Sequence, residues 1–267
     1  MRFLGMDLAR RLEVAGHDMP AAGSKEAPSH KGKERIFVGG GVAVFAGVNS
    51  PITQAEGLGL HGPVSEEEFE RLEEFFRSRG SAVFMEVCPM ADASFIEALG
   101  KHGYRVAEFS SVLIRDILPG DKYAGAPAGI TIRKPAPDEM RLFVETMAQG
   151  FAEYFEPTEE FIRSMQNFFA GPAIHAYLAL AEGKTVGGGT LTLRNGVAGL
   201  LGSATLPAFR CRGIQSALIG VRLEDARAAG CDLAMSMTLP GSGSQRNLER
   251  QGFRVIYTRT KFVREWK

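Results

Sequence analysis

Leu206-Pro207-Ala208-Phe209-Arg210-Cys211-Arg212-Gly213-Ile214-Gln215-Ser216-Ala217-Leu218 is the stretch on which the fold of this chain turns. It follows an apolar run, Val197 to Leu206, and precedes a run with Ile214, Ala217, Leu218 and Val221 at helical spacing. The first reads as a strand and the second as a helix over Ile214–Ala229. The segment therefore joins a strand to a helix N-terminus, where backbone N–H groups lack partners and the helix dipole is positive. That combination suits a phosphate. Gly213 lets the backbone approach a ligand closely, Arg210 and Arg212 add positive charge, and Ser216 and Ala217 keep the first turn uncluttered. Pro207 interrupts the ladder of the preceding strand, leaving edge groups for another extended partner. Coenzyme A, an extended amide with a pyrophosphate, has both features.

Outward from this segment, the pattern predicts a short strand at Gly129–Lys134, then a helix opened by Pro137-Asp138-Glu139. A second helix opens at Pro157-Thr158-Glu159-Glu160. Strands follow at Ile174–Ala181, Thr185–Leu193 and Val197–Leu206, with Asn195-Gly196 a strong hairpin signal between the last two. After the Ile214 helix come a strand at Asp232–Leu239, a short helix at Ser244–Gln251, and strands with a bend between them at Phe253–Arg264.

The central segment resembles the acyl-CoA loop of the GNAT acetyltransferase superfamily, whose pattern is Arg/Gln-x-x-Gly-x-Gly/Ala. Arg210-Cys211-Arg212-Gly213-Ile214-Gln215 departs from it only at Gln215, whose side chain must point away from the ligand. The order of elements is also the family's, and Thr238 to Phe253 resembles its second signature, a helix ending in Gly-Phe. The resemblance implies an acetyl-CoA-dependent N-acyltransferase, with acetyl-CoA as co-substrate and a small-molecule or peptide amine as acceptor. By position, the backbone at Thr205 and Leu206 would pair with the pantetheine arm. The N–H groups of Cys211, Arg212, Gly213, Ile214, Gln215, Ser216 and Ala217 would hold the pyrophosphate, with Arg210 beside them. Ser244 and Asn247 would sit near the thioester end or the pantetheine. Many members carry a tyrosine four residues before the Gly-Phe glycine as general acid, and this chain has Leu248 there. A proton for the departing thiolate then comes from Tyr257, from Ser244 or from water. Glu153, Tyr154 and Glu156, between the two early helices, are candidates for the amine side.

The first half carries weaker signals. Leu118-Pro-Gly-Asp-Lys-Tyr-Ala-Gly-Ala-Pro-Ala-Gly129 is poor in apolar bulk and reads as a linker. It predicts domains at 1–117 and 129–267 joined by 118–128. Ala21–Glu34 reads as a loop after a possible first helix. Three stretches recur in order near one offset: Val38-Gly-Gly-Gly41 with Val186-Gly-Gly-Gly189, Gly80 with Gly230, and Gly103-Tyr-Arg-Val106 with Gly252-Phe-Arg-Val255. A domain-sized period is what tandem duplication leaves. The expected fold class is therefore α/β (α+β), two tandem GNAT-like domains, each a mixed, mostly antiparallel sheet flanked by helices. The first copy lacks the loop: after a strand at Ile52–Leu60 comes Ser65-Glu-Glu-Glu68, a capping box whose carboxylates would repel a pyrophosphate. It is expected to be degenerate.

Composition narrows the partners. Lys and Arg total 31 and Asp and Glu total 31, giving no electrostatic reason to expect nucleic acid or an anionic membrane. The three cysteines, Cys88, Cys211 and Cys231, form no metal-ligand spacing, and no metal is expected. The start of the sequence lacks the apolar core of a signal peptide, and no later stretch is apolar enough to span a bilayer, so the expected location is cytoplasmic. A second class remains open: an acyl-CoA-binding or sensing protein without catalysis, suggested by Leu248.

Overall fold

The computed structural model describes residues 2–15, 34–48, 50–152, 157–171 and 173–266. The loop expected at Ala21–Glu34 therefore lies outside the described residues, apart from Glu34 itself. In chain order the elements are α1 (Met6–Glu13), β1 (Glu34–Val38), β2 (Gly41–Phe45), β3 (Gln54–Glu56), α2 (Glu66–Arg77), β4 (Val83–Val87), α3 (Ala93–Lys101) and β5 (Arg105–Asp116). Then follow β6 (Ile130–Arg133), α4 (Met140–Gly150), α5 (Glu159–Phe169), β7 (Ile174–Ala181), β8 (Lys184–Arg194), β9 (Val197–Thr205), α6 (Ile214–Ala228), β10 (Leu233–Thr238), α7 (Gly243–Arg250) and β11 (Arg254–Arg264). The second half matches the sequence expectation element by element, except that Phe253–Arg264 is one strand without a bend. No helix among the described residues is long and apolar enough to cross a membrane.

The chain divides into two compact units: Met1–Val112 with Val255–Lys267, and Leu113–Arg254. These boundaries differ from the 1–117, 118–128 and 129–267 division expected from composition. The residues read as a linker lie within the second unit, against α6. The Ala124 carbonyl and Pro127 ring press on Gly220 and Gly213 so closely that a Cβ at those glycines would stand 2.2 and 3.0 Å from them. Arg227 Nη1 donates to the Pro119 carbonyl at 2.9 Å, and Arg115 reaches Asp121 at 3.2 Å. The last strand, in turn, belongs to the first unit: β11 pairs antiparallel with β4 over Thr260–Arg264.

In the first unit, β1–β2 and β2–β3 are antiparallel pairs and β3–β4 is parallel. Phe69, Leu72, Phe75 and Phe76 of α2 form the core with Val83, Met85, Phe95 and Leu99. In the second, β6–β7, β7–β8 and β8–β9 are antiparallel and β9–β10 is parallel. Ile214, Leu218, Ile219, Leu223 and Ala226 of α6 pack on Val186, Leu191, Ala198, Leu200 and Ala234. The sequence of pairings is thus repeated: β1, β2, β3, α2, β4, α3, β5 run in the same order as β7, β8, β9, α6, β10, α7, β11.

Candidate cofactor site

The site grows from the way β9 ends. β10 pairs with β9 only at Leu233–Met235, opposite Val197–Gly199. Beyond Gly199, β9 runs on to Thr205 with one side-chain link across, from Ser236 Oγ to the Leu200 carbonyl at 2.7 Å. The two parallel strands therefore part, and the edge of β9 from Leu201 to Thr205 carries peptide groups without a β10 ladder. A β-bulge lies on this edge. The β8–β9 register is Gly189 to Ser203 and then Thr190 to Leu201, so Gly202 has no cross-strand partner, and its φ is +45°. A bulge leaves its extra residue outside the ladder.

At the other end of that edge the chain turns through Pro207–Phe209 and reaches α6. Arg210, Cys211, Arg212 and Gly213 are all exposed. Gly213 is the N-cap of α6 with φ +76°, a conformation that glycine adopts without strain. No side chain caps this 15-residue helix, and its first turn holds no acidic residue. The orphan N–H groups of the first turn and the positive dipole end thus adjoin these exposed residues, but Ala217, expected among the donors, already gives its N–H to the Gly213 carbonyl at 3.1 Å. Cys211 also has positive φ, +62°. The two arginines are oriented by the protein: Arg210 donates to the carbonyls of Thr205 and Gly150 at 3.3 and 3.2 Å, and Arg212 stacks 5.0 Å over the Phe209 ring.

Gln215 answers its own departure from the pattern. Its Oε1 accepts from Ser203 Oγ at 2.8 Å and its Nε2 donates to Thr205 Oγ1 at 2.8 Å. The side chain is turned onto β9 and away from the outward N–H groups, and it pins the first turn of α6 to the open strand edge. The glycines of β8 make this packing possible. A Cβ at Gly187 would stand 2.7 Å from the Ala204 carbonyl, and one at Gly188 would stand 2.8 Å from the Phe143 ring.

The remaining predicted positions separate. Ser244 is exposed in the first turn of α7, where Ser242 is the cap, and Asn247 is half-buried and accepts from Arg250 at 3.2 Å. Leu248, where a proton donor is usual, is a core residue packed with Phe253 and Leu113. Tyr257, the other donor considered, is buried and already donates to Glu13 Oε1 at 2.6 Å, with its pKa raised by burial and then by the Glu13 charge. The sequence missed this because β11 was assigned to the second half. Glu153, Tyr154 and Glu156 lie outside the described residues.

The matching place in the first unit is closed to an anion. Ser65 Oγ accepts from the Glu68 N–H and the Glu68 carboxylate accepts from the Ser65 N–H at 3.0 Å. The same carboxylate takes the Gly39 N–H at 2.8 Å, and these backbone bonds hold Glu68 below the usual carboxylate range despite partial desolvation. Glu66 and Glu67 complete an acidic first turn.

Comparison with known proteins follows these features. The family model described as Acetyltransferase (GNAT) family matches residues 141–253. No curated protein sequence matches the chain. Among solved structures, a GCN5-related N-acetyltransferase from Kribbella flavida superposes with TM-score 0.66 at 18% identity, over 88% of this chain and 90% of that one. A tandem GNAT protein from the clavulanic acid biosynthesis pathway superposes with TM-score 0.62 at 13% identity, over 97% and 93%. A GCN5-related N-acetyltransferase from Sphaerobacter thermophilus gives 0.59 at 18%, over 84% and 72%. At these identities the likeness speaks to fold, and the likeness covers both units. Residues 141–253 thus match the GNAT acetyltransferase family model, and the fold of the chain is similar to that of GNAT proteins, a tandem one among them.

Proposed function

We propose that this protein is an acetyl-CoA-dependent N-acyltransferase, with cofactor chemistry confined to the second unit. The observation that carries the proposal is the uncapped, acid-free N-terminus of α6 at one end of the open β9 edge. The pyrophosphate would sit on the N–H groups from Cys211 to Ser216, since that of Ala217 already donates to the Gly213 carbonyl at 3.1 Å, and the pantetheine amides would pair with Leu206, Thr205 and the edge beyond. The thioester then falls toward the bulge. In the reaction, the lone pair of a neutral amine forms the N–C bond while the carbonyl electrons move onto oxygen. Collapse of that oxyanion breaks the C–S bond. The ammonium proton goes to a base or water, and the thiolate takes a proton from solvent, because Leu248 supplies none. Glu153, Tyr154 and Glu156 are proposed for the amine side on their position in the sequence alone.

The test is Arg210→Glu with Gly213→Asp, titrated with coenzyme A by calorimetry. Two negative charges at the anion site are expected to weaken binding roughly a hundredfold or more. Unchanged affinity refutes the site. A second outcome is favoured by one observation, the buried Leu248: the protein binds acetyl-CoA but releases no thiol with any member of an amine panel. That result assigns it to acyl-CoA binding or sensing without catalysis.

A further inference from the structure

Arg222 lies on α6 two turns beyond the anion site and is 1% exposed. Its partners are all neutral. Nε donates to the Leu218 carbonyl at 2.9 Å, Nη1 to the Thr190 carbonyl at 3.1 Å and Nη2 to Ser203 Oγ at 3.1 Å. No carboxylate pairs with it among the described residues, and burial holds its pKa down to about 10. A buried cation without a counter-charge is costly, and the surrounding sequence makes room for this one. A Cβ at Gly189 would stand 2.9 Å from the guanidinium carbon.

The groups that Arg222 holds flank the bulge. Thr190 is the β8 residue at the register shift, and its Oγ1 donates to the Leu201 carbonyl at 2.6 Å. Ser203 follows Gly202 directly and is the node of a chain: it takes the Arg222 hydrogen bond, and its own hydroxyl donates to Gln215, which donates to Thr205. Both sides of Gly202 are thus fixed, and the same chain of bonds ends on the first turn of α6. Arg222 also places a positive charge behind the bulge, where little solvent screens it.

We propose that Arg222 is a positioning residue for the acyl end of the cofactor, holding the Gly202 amide, through Thr190 and Ser203, where the thioester carbonyl accepts from it. This rests on the cleft of the second unit binding acyl-CoA. A fixed donor beside a buried cation polarises the carbonyl before attack and favours the oxyanion that follows. The adenosine end of the cofactor meets this network only at its pyrophosphate, through Gln215 on the first turn of α6, so the acyl end is the part that the network affects most.

The experiment binds acetyl-CoA carrying carbon-13 at the acetyl carbonyl to the full chain and records that resonance, alongside affinities for acetyl-CoA, coenzyme A and adenosine 3′,5′-bisphosphate. In the unaltered protein the carbonyl resonance moves downfield on binding. Ser203→Ala and Arg222→Met are expected to return it toward its free position and to weaken acetyl-CoA relative to coenzyme A about fivefold, the scale of one lost hydrogen bond. Adenosine 3′,5′-bisphosphate affinity falls by less than acetyl-CoA affinity does. Arg222→Lys, which keeps the charge but not the fork, recovers part of the shift. Ser203→Ala removes one half-buried hydroxyl and keeps the fold testable if Arg222→Met does not fold. A downfield shift that survives undiminished in Ser203→Ala, or in a folded Arg222→Met, overturns the proposal. Failure of the unaltered protein to bind coenzyme A overturns instead the cofactor site on which it rests.

Discussion

Arg259→Leu tests whether the C-terminal strand holds the first unit together through charge. Arg259 and Glu13 have fully buried side chains, with Nε 2.8 Å from Glu13 Oε1, and Arg259 Nη1 stands 3.7 Å from Glu56 Oε2. Tyr257 donates to the same Glu13 oxygen, and Lys261 reaches Glu86 at 3.6 Å. Three carboxylates, from α1, β3 and β4, thus face two cations from β11. Removing one member of a buried pair costs about 3–5 kcal/mol because the other charge stays buried. For a unit of about 125 residues that lowers the unfolding midpoint by roughly 10–20 °C. Trp266, the one tryptophan, reports this unit alone: its indole N–H donates to the Ser81 carbonyl at 2.9 Å. The pH dependence has a definite sign. Burial, then the Glu56 charge, raises the Glu86 pKa, while Arg259 lowers it. Removing Arg259 pushes Glu86 up further. A carboxyl raised in the folded state contributes stability below its unfolded pKa and loses it as pH climbs through the folded value. The deficit of Arg259→Leu is therefore larger at pH 7 than at pH 5. A loss under about 1 kcal/mol by tryptophan fluorescence, or an equal loss at both pH values, refutes the reasoning.

Leu248→Tyr is expected to destabilise the second unit by about 1–3 kcal/mol through overpacking, without increasing thiol release from acetyl-CoA, since the position faces the core; a large gain in turnover measured with a thiol reagent contradicts this. Alkylation at pH 8 should label one thiol, Cys211, and coenzyme A should slow it. Cys88 is pushed up to about 12 by burial and then by Glu13, and Cys231 is buried, whereas Cys211 is exposed in the loop. Peptide mapping that finds Cys88 labelled in the folded protein, or no protection of Cys211, counts against these assignments.

What the sequence revealed was whatever local physics determines. The helices and strands of the second half follow from hydrophobic period and from punctuation by Asn195-Gly196, Thr158 and Gly213. The capping box at Ser65–Glu68 was visible for the same reason: four adjacent residues suffice to make it. The strand expected at Ile52–Leu60 shrinks to Gln54–Glu56 because Gly57 and Gly59 take positive φ and turn the chain, which apolar composition does not disclose. The partners of β11 were hidden too. Alternation marks Arg254–Arg264 as a strand, but nothing in it says that β4, some 170 residues earlier, is its neighbour. The bond from Tyr257 to Glu13 was hidden by the same gap. Gln215 was half legible: its side chain had to leave the anion site, but its donor Ser203 and its acceptor Thr205 on β9 come from tertiary packing.

The repeat itself shows how identical letters can mislead and different ones agree. Val38-Gly-Gly-Gly41 is a hairpin turn, with Gly39 and Gly40 at φ +56° and +75° between β1 and β2. Val186-Gly-Gly-Gly189 runs through the middle of β8, where the missing Cβ atoms admit Phe143, the β9 backbone and the Arg222 guanidinium. That match is a coincidence of glycines serving unrelated needs. The other two are the same structure made twice. Gly80 and Gly230 both end a helix at positive φ, followed by N–H bonds from Ser81 to Phe76 and from Cys231 to Ala226. Gly103 and Gly252 do the same, with Tyr104 bonding back to Leu99 and Phe253 to Leu248. The second pair also explains Leu248. It stands where Leu99 stands in the first unit, a buried anchor under a helix C-terminus, and that packing role keeps it in the core whatever donor the reaction requires.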